Sequence, residues 1–339
     1  MKKIYELDDI LETLGLLYYS YHFEEVKVEI IQSLIEFGIS GETFYQQRFK
    51  ILDKYIFAFR KHGVTNEESS FFFGDYDMNF FSFYSDMILR NKNYLDMPDC
   101  ISDNDVKIQM LKSLEYIYEY DVANIEIDSL ENIIQFLEQG SFKENIKWKI
   151  MCLFKQPKEK FQKLAELIHM NTNAYKKAIN TVSKPLSVLL KDYIDIFDNE
   201  TSSNFEIAKI SKDLEVYPTL IFISAQISLG GYCFYGLLNH FVMEKVNTQS
   251  NSVEVLLNRL KALSDKSKLQ ILISLKESPK YNLEIAEQLG LTAATMSHHM
   301  NVLLTCGLVG VTKKHGRIYY HVEQENIGSF VKDFQQLFL

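Results

Sequence analysis

The stretch Leu283-Glu284-Ile285-Ala286-Glu287-Gln288-Leu289-Gly290-Leu291-Thr292-Ala293-Ala294-Thr295-Met296-Ser297-His298-His299-Met300 holds two short amphipathic runs separated by a stop and a start. Asn282 is suited to cap a helix over Leu283 to Leu289 in which Ile285 and Leu289 are buried, and Gly290 supplies a residue on which it can end. Thr292 then caps a second helix running to about Thr305. Two helices joined by so short a turn make a helix-turn-helix. Ala286 is small where the two should cross, which lets their backbones approach and fixes the angle of the second helix. Met296, Met300, Leu303 and Leu304 form the buried stripe of that helix, so Ala293, Thr295, Ser297, His298 and His299 fall on exposed or partly exposed faces. Small residues there let a helix enter a major groove about 12 Å wide, and hydroxyl or imidazole groups can hydrogen-bond base edges or phosphates.

Upstream, Val253 to Leu263 reads as a helix with Val253, Leu256, Leu257 and Leu260 on one face. Asp265 caps the next, whose expected buried set is Leu269, Leu272, Ile273 and Leu275, and Pro279 prevents its continuation. Downstream of Gly307, Leu308 to Thr312 and Arg317 to Val322 alternate as strands around Lys313-Lys314-His315-Gly316. This is a hairpin with a basic tip, where Lys313, Lys314 and Arg317 would neutralise phosphates and add affinity without sequence information. Asn326 to Leu339 places Ile327, Phe330, Val331, Phe334, Leu337 and Phe338 on one apolar face. Such a terminal helix needs a cover, most simply its copy in a second chain. Phe330, Phe334 and Leu337 are therefore expected dimerisation residues.

These ordered runs, with Leu260-Lys261-Ala262-Leu263-Ser264-Asp265 before them and Gly316-Arg317-Ile318-Tyr319-Tyr320 after, resemble the ArsR-type winged helix-turn-helix repressors over about 253 to 330. The resemblance implies that the second helix of the motif reads the major groove, that the wing lies near the minor groove, and that the first and last helices form a symmetric dimer, which adds Leu256 and Leu260 of the first helix to the expected dimerisation residues. It places Thr295, Ser297, His298 and His299 on the recognition helix and Lys313, Lys314 and Arg317 on the wing. Metal-sensing members carry a Cys-x-Cys pair where this chain has Tyr281-Asn282-Leu283, and from Val322 onward it offers Asp333 but no histidine. Adjacent His298 and His299 point about 100° apart on a helix and rarely share one ion. No metal and no other cofactor is expected.

The remaining residues read mostly as helices. Leu7, Ile10, Leu11, Leu14, Leu17 and Tyr18 recur at helical spacing, as do Phe49, Leu52, Tyr55, Ile56 and Phe59 with Gly63 as a stop. Further runs cover about 24–37, 79–91, 103–120, 128–138, 142–155, 158–170 and 172–196, and Pro185 predicts a kink or a new start in the last. The rings of Phe71, Phe72, Phe73, Phe80, Phe81, Phe83 and Tyr84 either line a pocket for a planar ligand or form core. Val216 to Met243 lacks any Asp, Glu, Lys or Arg, long enough to cross a bilayer, but Pro218, Gly230, Gly231, Gly236, Asn239 and His240 interrupt it. The better reading is a β-pair, Leu220 to Leu229 and Tyr232 to Tyr235 around Gly230-Gly231, with helix from Gly236 to about Val246.

Length and composition agree. The 339 residues allow two ordinary domains, and Gly 14 with Pro 5 is under half the usual roughly 12%, which favours long helices over a sandwich or barrel. The expected fold is mainly α: a multi-helix domain over 1–203, the β-pair and a connecting helix packed on it over 204–246, a polar linker at 247–252, and a winged helix-turn-helix over 253–339. Residues 1–250 carry 26 Lys+Arg against 37 Asp+Glu, whereas 258–321 carry nine basic against four acidic residues, so the two ends face different partners. Cys100, Cys152, Cys233 and Cys306 are widely spaced, and no apolar run follows Lys2-Lys3, so a cytoplasmic protein without a signal peptide is expected. Phosphate-loop, dinucleotide, zinc-protease and nucleophile-elbow signatures are missing from the sequence, so an enzyme is not expected. The reading is a dimeric DNA-binding regulator, a repressor by resemblance, with a small-molecule or protein effector on its N-terminal domain and no membrane. Two classes compete with it: an enzyme that a winged module targets or dimerises, and an interaction scaffold that uses the winged fold without DNA.

Overall fold

A computed structural model of the chain describes residues 2–118, 129–139, 142–198, 215–229, 232–248, 252–291, 293–314 and 317–338. The fold is mainly α, and its buried apolar residues form two clusters, one reaching from Leu11 to Val242 and the other from Ala262 to Val309. Of the expected linker 247–252, residues 247–248 end one helix, 252 begins the next, and 249–251 lie outside the described residues.

In the N-terminal part the helices are α1 (Asp9–Glu36), α2 (Gly41–Arg48), α3 (Lys50–His62), α4 (Glu67–Phe73), α5 (Met78–Arg90), α6 (Lys92–Leu95), α7 (Asp103–Tyr118), α8 (Leu130–Gln139), α9 (Glu144–Lys155) and α10 (Pro157–Asp198). Asp8 caps α1 by accepting from the Leu11 N–H at 3.1 Å. The first two helical runs of the sequence prove to be this single 28-residue helix, bent where His22 departs from helical dihedrals (φ −125°, ψ 20°). The bend has a partner: Arg60 of α3 donates to the carbonyls of Tyr19 and Ser20 at 3.0 and 3.1 Å. Such capture of carbonyls by a side chain is an ordinary cause of a kink.

The runs at 158–170 and 172–196 are likewise one helix, α10, which packs along α3 and α1. Asn171 does not divide it. Buried inside, its side chain accepts from the Val64 N–H at 2.8 Å and donates to the carbonyls of Val64 and Leu167, tying the end of α3 to α10. Nor does Pro185 start a new helix. It sits on the exposed side, where water can take the bond its missing N–H would make, while Val182, Leu186 and Leu189 stay buried on the opposite face. The aromatic cluster is core: Phe72, Phe73, Phe80, Phe81, Phe83 and Tyr84 are buried, with Phe80 and Tyr84 rings 4.8 Å apart edge to face.

The sheet departs from the expected β-pair. Its strands β1 (Lys2–Lys3), β2 (Glu215–Thr219), β3 (Gln226–Leu229) and β4 (Tyr232–Gly236) lie in the order β1-β2-β4-β3. The hairpin β3/β4 matches the expectation, its Gly230-Gly231 turn lying outside the described residues. The first expected strand is shorter than Leu220 to Leu229, because 220–225 turns over the end of β4 and bonds to it, Gly236 N–H to Ala225 and Leu238 N–H to Ile223. A Cβ on Gly236 would lie 2.0 Å from the Phe222 carbonyl, so the crossing requires glycine. The stretch 216–243 is thus strands and the start of α11 (Asn239–Thr248); among the described residues no helix is long and apolar enough to cross a membrane.

One buried carboxylate joins three of these elements. Glu12 of α1 accepts from Thr219 Oγ1 at the end of β2 (2.6 Å), from the Leu220 N–H (3.0 Å) and from the Tyr55 hydroxyl of α3 (3.0 Å). Burial, opposed by those donors, pushes its pKa up to about 7.

The C-terminal part comprises α12 (Ser252–Ser264), α13 (Lys266–Glu277), α14 (Asn282–Leu289), α15 (Ala293–Thr305), strands β5 (Val309–Lys314) and β6 (Arg317–Val322), and α16 (Gln324–Phe338). Asp265 caps α13 as expected, accepting from the Lys268 N–H at 2.9 Å. The buried face of α13 differs from the expected one: Ile271, Leu272 and Leu275 are inside, whereas Leu269 and Ile273 are 43% and 57% exposed. Apolar residues surround this helix, so two stripes fit its period, and packing against Ile285, Met296 and Leu303 selects one.

Candidate nucleic-acid interface

Helix α14 is closed at its start by a side chain and at its end by the backbone. Asn282 is the first residue of α14 rather than its cap; Tyr281 holds that place, and its N–H bonds at 2.9 Å to the Glu284 carboxylate turned back from within the helix. Gly290 ends α14 at φ +66°, and the Leu291 N–H bonds to the Ala286 carbonyl at 2.9 Å, the closure that a left-handed residue makes possible. Ile285 and Ala286 are buried at the crossing. Thr292, the expected cap of α15, lies outside the described residues.

Met296, Met300 and Leu303 anchor α15 in the core, joined by Val302, while Leu304 is only partly buried. Ala293, Thr295, Ser297 and His298 are carried on the first two turns of α15; their side chains lie outside what the structure describes. His299 is half-buried, and Asp265 reports on it: although burial opposes this, the Lys268 N–H and the charges of Lys268 and His299 hold that carboxyl below its ordinary value.

Beside α15 stands the hairpin. Its strands pair antiparallel from Val309 with Val322 to Lys314 with Arg317; β6 has the expected bounds, but β5 runs two residues past the expected end at Thr312, so Lys313 and Lys314 belong to the strand and not to the tip. His315 and Gly316 lie outside the described residues, as do the side chains of Lys313, Lys314 and Arg317. The backbone register sets Lys314 and Arg317 in paired positions at the end of the hairpin. Lys280 adds a bridge to β6, its N–H bonding to the Tyr320 carbonyl at 3.1 Å and its carbonyl accepting in return at 2.8 Å. The Lys280 ammonium donates to the carbonyl and hydroxyl of Ser274, both at 2.9 Å, and Ser274 donates to Gln288 at 2.7 Å. Lys268 is buried and Lys280 half-buried, so two of the nine basic residues are engaged within the module.

The pairing candidates divide by exposure. Leu256 and Phe330 are buried within the chain and Leu260 is half-buried, whereas Phe334 and Leu337 are 40% and 46% exposed. Leu257 and Val331, on the same two helices α12 and α16, are exposed beside them. Among the described residues no group of three or more His, Cys, Asp or Glu side chains is placed to hold a metal ion.

Comparison with known proteins singles out this module. The family model described as "Bacterial regulatory protein, arsR family" matches residues 265–311. The HTH-type transcriptional regulators CmtR of Mycobacterium bovis and Mycobacterium tuberculosis are each 31% identical to the chain over 79 residues, 23% of this chain and 67% of theirs. Among solved structures, an ArsR-like transcriptional regulator from Rhodococcus sp. RHA1 aligns over 25% of this chain and 81% of its own, with 23% identity and a TM-score of 0.25.

Proposed function

Because the chain belongs, through its C-terminal module, to the ArsR family of bacterial regulatory proteins, we propose that this DNA-binding transcriptional regulator is a sequence-specific repressor. It acts as a cytoplasmic dimer whose N-terminal domain senses a small molecule or a protein partner. The observation that supports this most is the setting of α15, anchored on one face by Met296, Met300 and Leu303 and followed by a hairpin whose backbone carries Lys313, Lys314 and Arg317.

In this reading Ala293, Thr295, Ser297, His298 and His299 read the major groove, and Lys313, Lys314 and Arg317 contact phosphates. Phe334, Leu337 and the α12 face around Leu256 and Leu260 meet their copies across a two-fold axis, with Phe330 supporting them from inside. The acidic N-terminal domain adds little to DNA affinity itself and is left to sensing.

The test separates the two contact classes. Lys313→Ala with Arg317→Ala should weaken binding to every duplex about equally and flatten the dependence of log K on log salt by roughly one unit per lost contact. Ser297→Ala or His298→Ala should change the preferred site and leave that slope alone. Unchanged DNA retention in both variants overturns the assignment.

A further inference from the structure

Helix α1 belongs to the first core, and the turn that follows it meets α12. Its first half is fixed by Glu12 and by the Tyr19 hydroxyl, which donates to the Ile221 carbonyl. Its second half starts at the His22 bend and ends in a left-handed closure. Gly38 has φ +78°, its N–H bonds to Ile35 at 2.9 Å, and the Ile39 N–H bonds to Leu34 at 2.9 Å. The amides of this corner are turned back into α1, but the Phe37 carbonyl accepts from Asn258 Nδ2 of α12 at 3.4 Å. A Cβ on Gly38 would lie 2.7 Å from that nitrogen and 2.8 Å from Oδ1, so the amide of Asn258 rests on the bare glycine.

The same turn of α12 grips the end of α15. Arg259 Nε donates to the Cys306 carbonyl at 3.1 Å, and the Cys306 thiol approaches the Asn258 carbonyl at 3.9 Å. Cys306-Gly307 is where α15 stops and the hairpin begins, and Asn326 of α16 holds the Gly307 carbonyl at 2.9 Å. Two consecutive residues of α12 thus touch the tip of α1 on one side and the end of α15 on the other.

We propose that Asn258 and Arg259 form a clasp through which the C-terminal end of α1 sets the pose of α15, so that the N-terminal domain and the DNA-reading module bias each other. Its functional consequence rests on the DNA-binding reading above. Coupling of this kind is reciprocal: whatever shifts α1 changes α15, and an occupied α15 steadies the tip of α1. The bonds at Phe37, Asn258 and Cys306 supply a continuous physical link, which a coupling claim requires.

Hydrogen exchange read by mass spectrometry on the full chain tests it, with wild type compared to Asn258→Ala. Without DNA, the variant should exchange roughly three- to tenfold faster in peptides covering both 33–40 and 303–309, the range expected for one lost hydrogen bond. Peptides over α3 and α10 should be unchanged, which shows that the variant is folded. Adding a 30-bp random-sequence duplex at low salt should slow exchange at 33–40 in wild type and leave it unaltered in the variant. Acceleration confined to α12, or equal protection of 33–40 by the duplex in both proteins, overturns the clasp. If wild type does not bind the duplex, it is the DNA-binding reading that falls, and the comparison without DNA still decides the clasp.

Discussion

Replacing Glu12 with glutamine tests the N-terminal core at its most loaded point. The carboxylate is fully buried, and its pKa moves from an ordinary 4.5 to about 7. At about 1.4 kcal/mol per pKa unit, this corresponds to about 3 kcal/mol of stability linked to one proton. The folded chain keeps that proton at a pH where the unfolded chain has released it, so the contribution is fully present below about pH 4.5 and is lost as the pH rises through about 7. His240 works in the opposite sense, since burial lowers its pKa and folding then disfavours its charged form. The difference between wild type and Glu12→Gln cancels such shared terms. Glutamine keeps the shape, and its carbonyl can accept from Thr219 and from the Leu220 N–H. Urea unfolding followed by circular dichroism at pH 5, 6, 7 and 8 should give similar stabilities for the two proteins at pH 5. The variant should gain by up to about 3 kcal/mol at pH 8. A difference that stays flat from pH 5 to 8 would refute the account of Glu12 as a buried, proton-binding joint of α1, α3 and β2.

Other perturbations follow from single contacts. Gly236→Ala drives a methyl group into the Phe222 carbonyl and should cost about 3 kcal/mol or more, read as a lowered urea midpoint; wild-type stability would refute the crossing. Pro185→Ala restores a backbone N–H on the exposed side of α10 and should raise stability by about 1–2 kcal/mol in the same assay, whereas a loss would mean that the proline holds a needed bend. Phe334→Glu with Leu337→Glu should leave the circular dichroism spectrum unchanged and convert a dimer to a monomer in analytical ultracentrifugation. Identical sedimentation of variant and wild type would remove α16 from the dimer surface.

The C-terminal module was legible because its signals are local. Gly290, the Met296, Met300 and Leu303 stripe, and the alternation on either side of Lys313-Lys314 each act within a few residues, and the structure places helix, turn and hairpin where they indicate. The face of α13 was misread for a local reason too: Leu269-Gln270-Ile271-Leu272-Ile273-Ser274-Leu275 is apolar on nearly every side, so the period alone does not choose. What stayed hidden is non-local. β1 pairs with β2 across more than two hundred residues, and Lys2 reaches Glu215 at 2.8 Å, a partnership that no window of sequence displays. Glu12 reads as one polar residue in an amphipathic helix, and Asn258 as a polar residue on the outer face of another, until tertiary contacts give each its partners. The candidate site shows the same split. Spacing supplied the elements that carry Thr295, Ser297, His298, Lys313 and Arg317, whereas the burial of Lys268 and the bonds of Lys280 to Ser274 depend on tertiary contacts.

Selection from a pool of random duplexes with the full-length chain bears most directly on the central claim, that α15 is offered to DNA in duplicate. The recovered duplexes should share an inverted repeat whose half-sites lie about 10–10.5 bp apart, or a multiple of that, centre to centre. Ser297→Ala or His298→Ala should shift the recovered bases. Recovery of unrelated sequences with no common half-site, the same for wild type and for both variants, would contradict it.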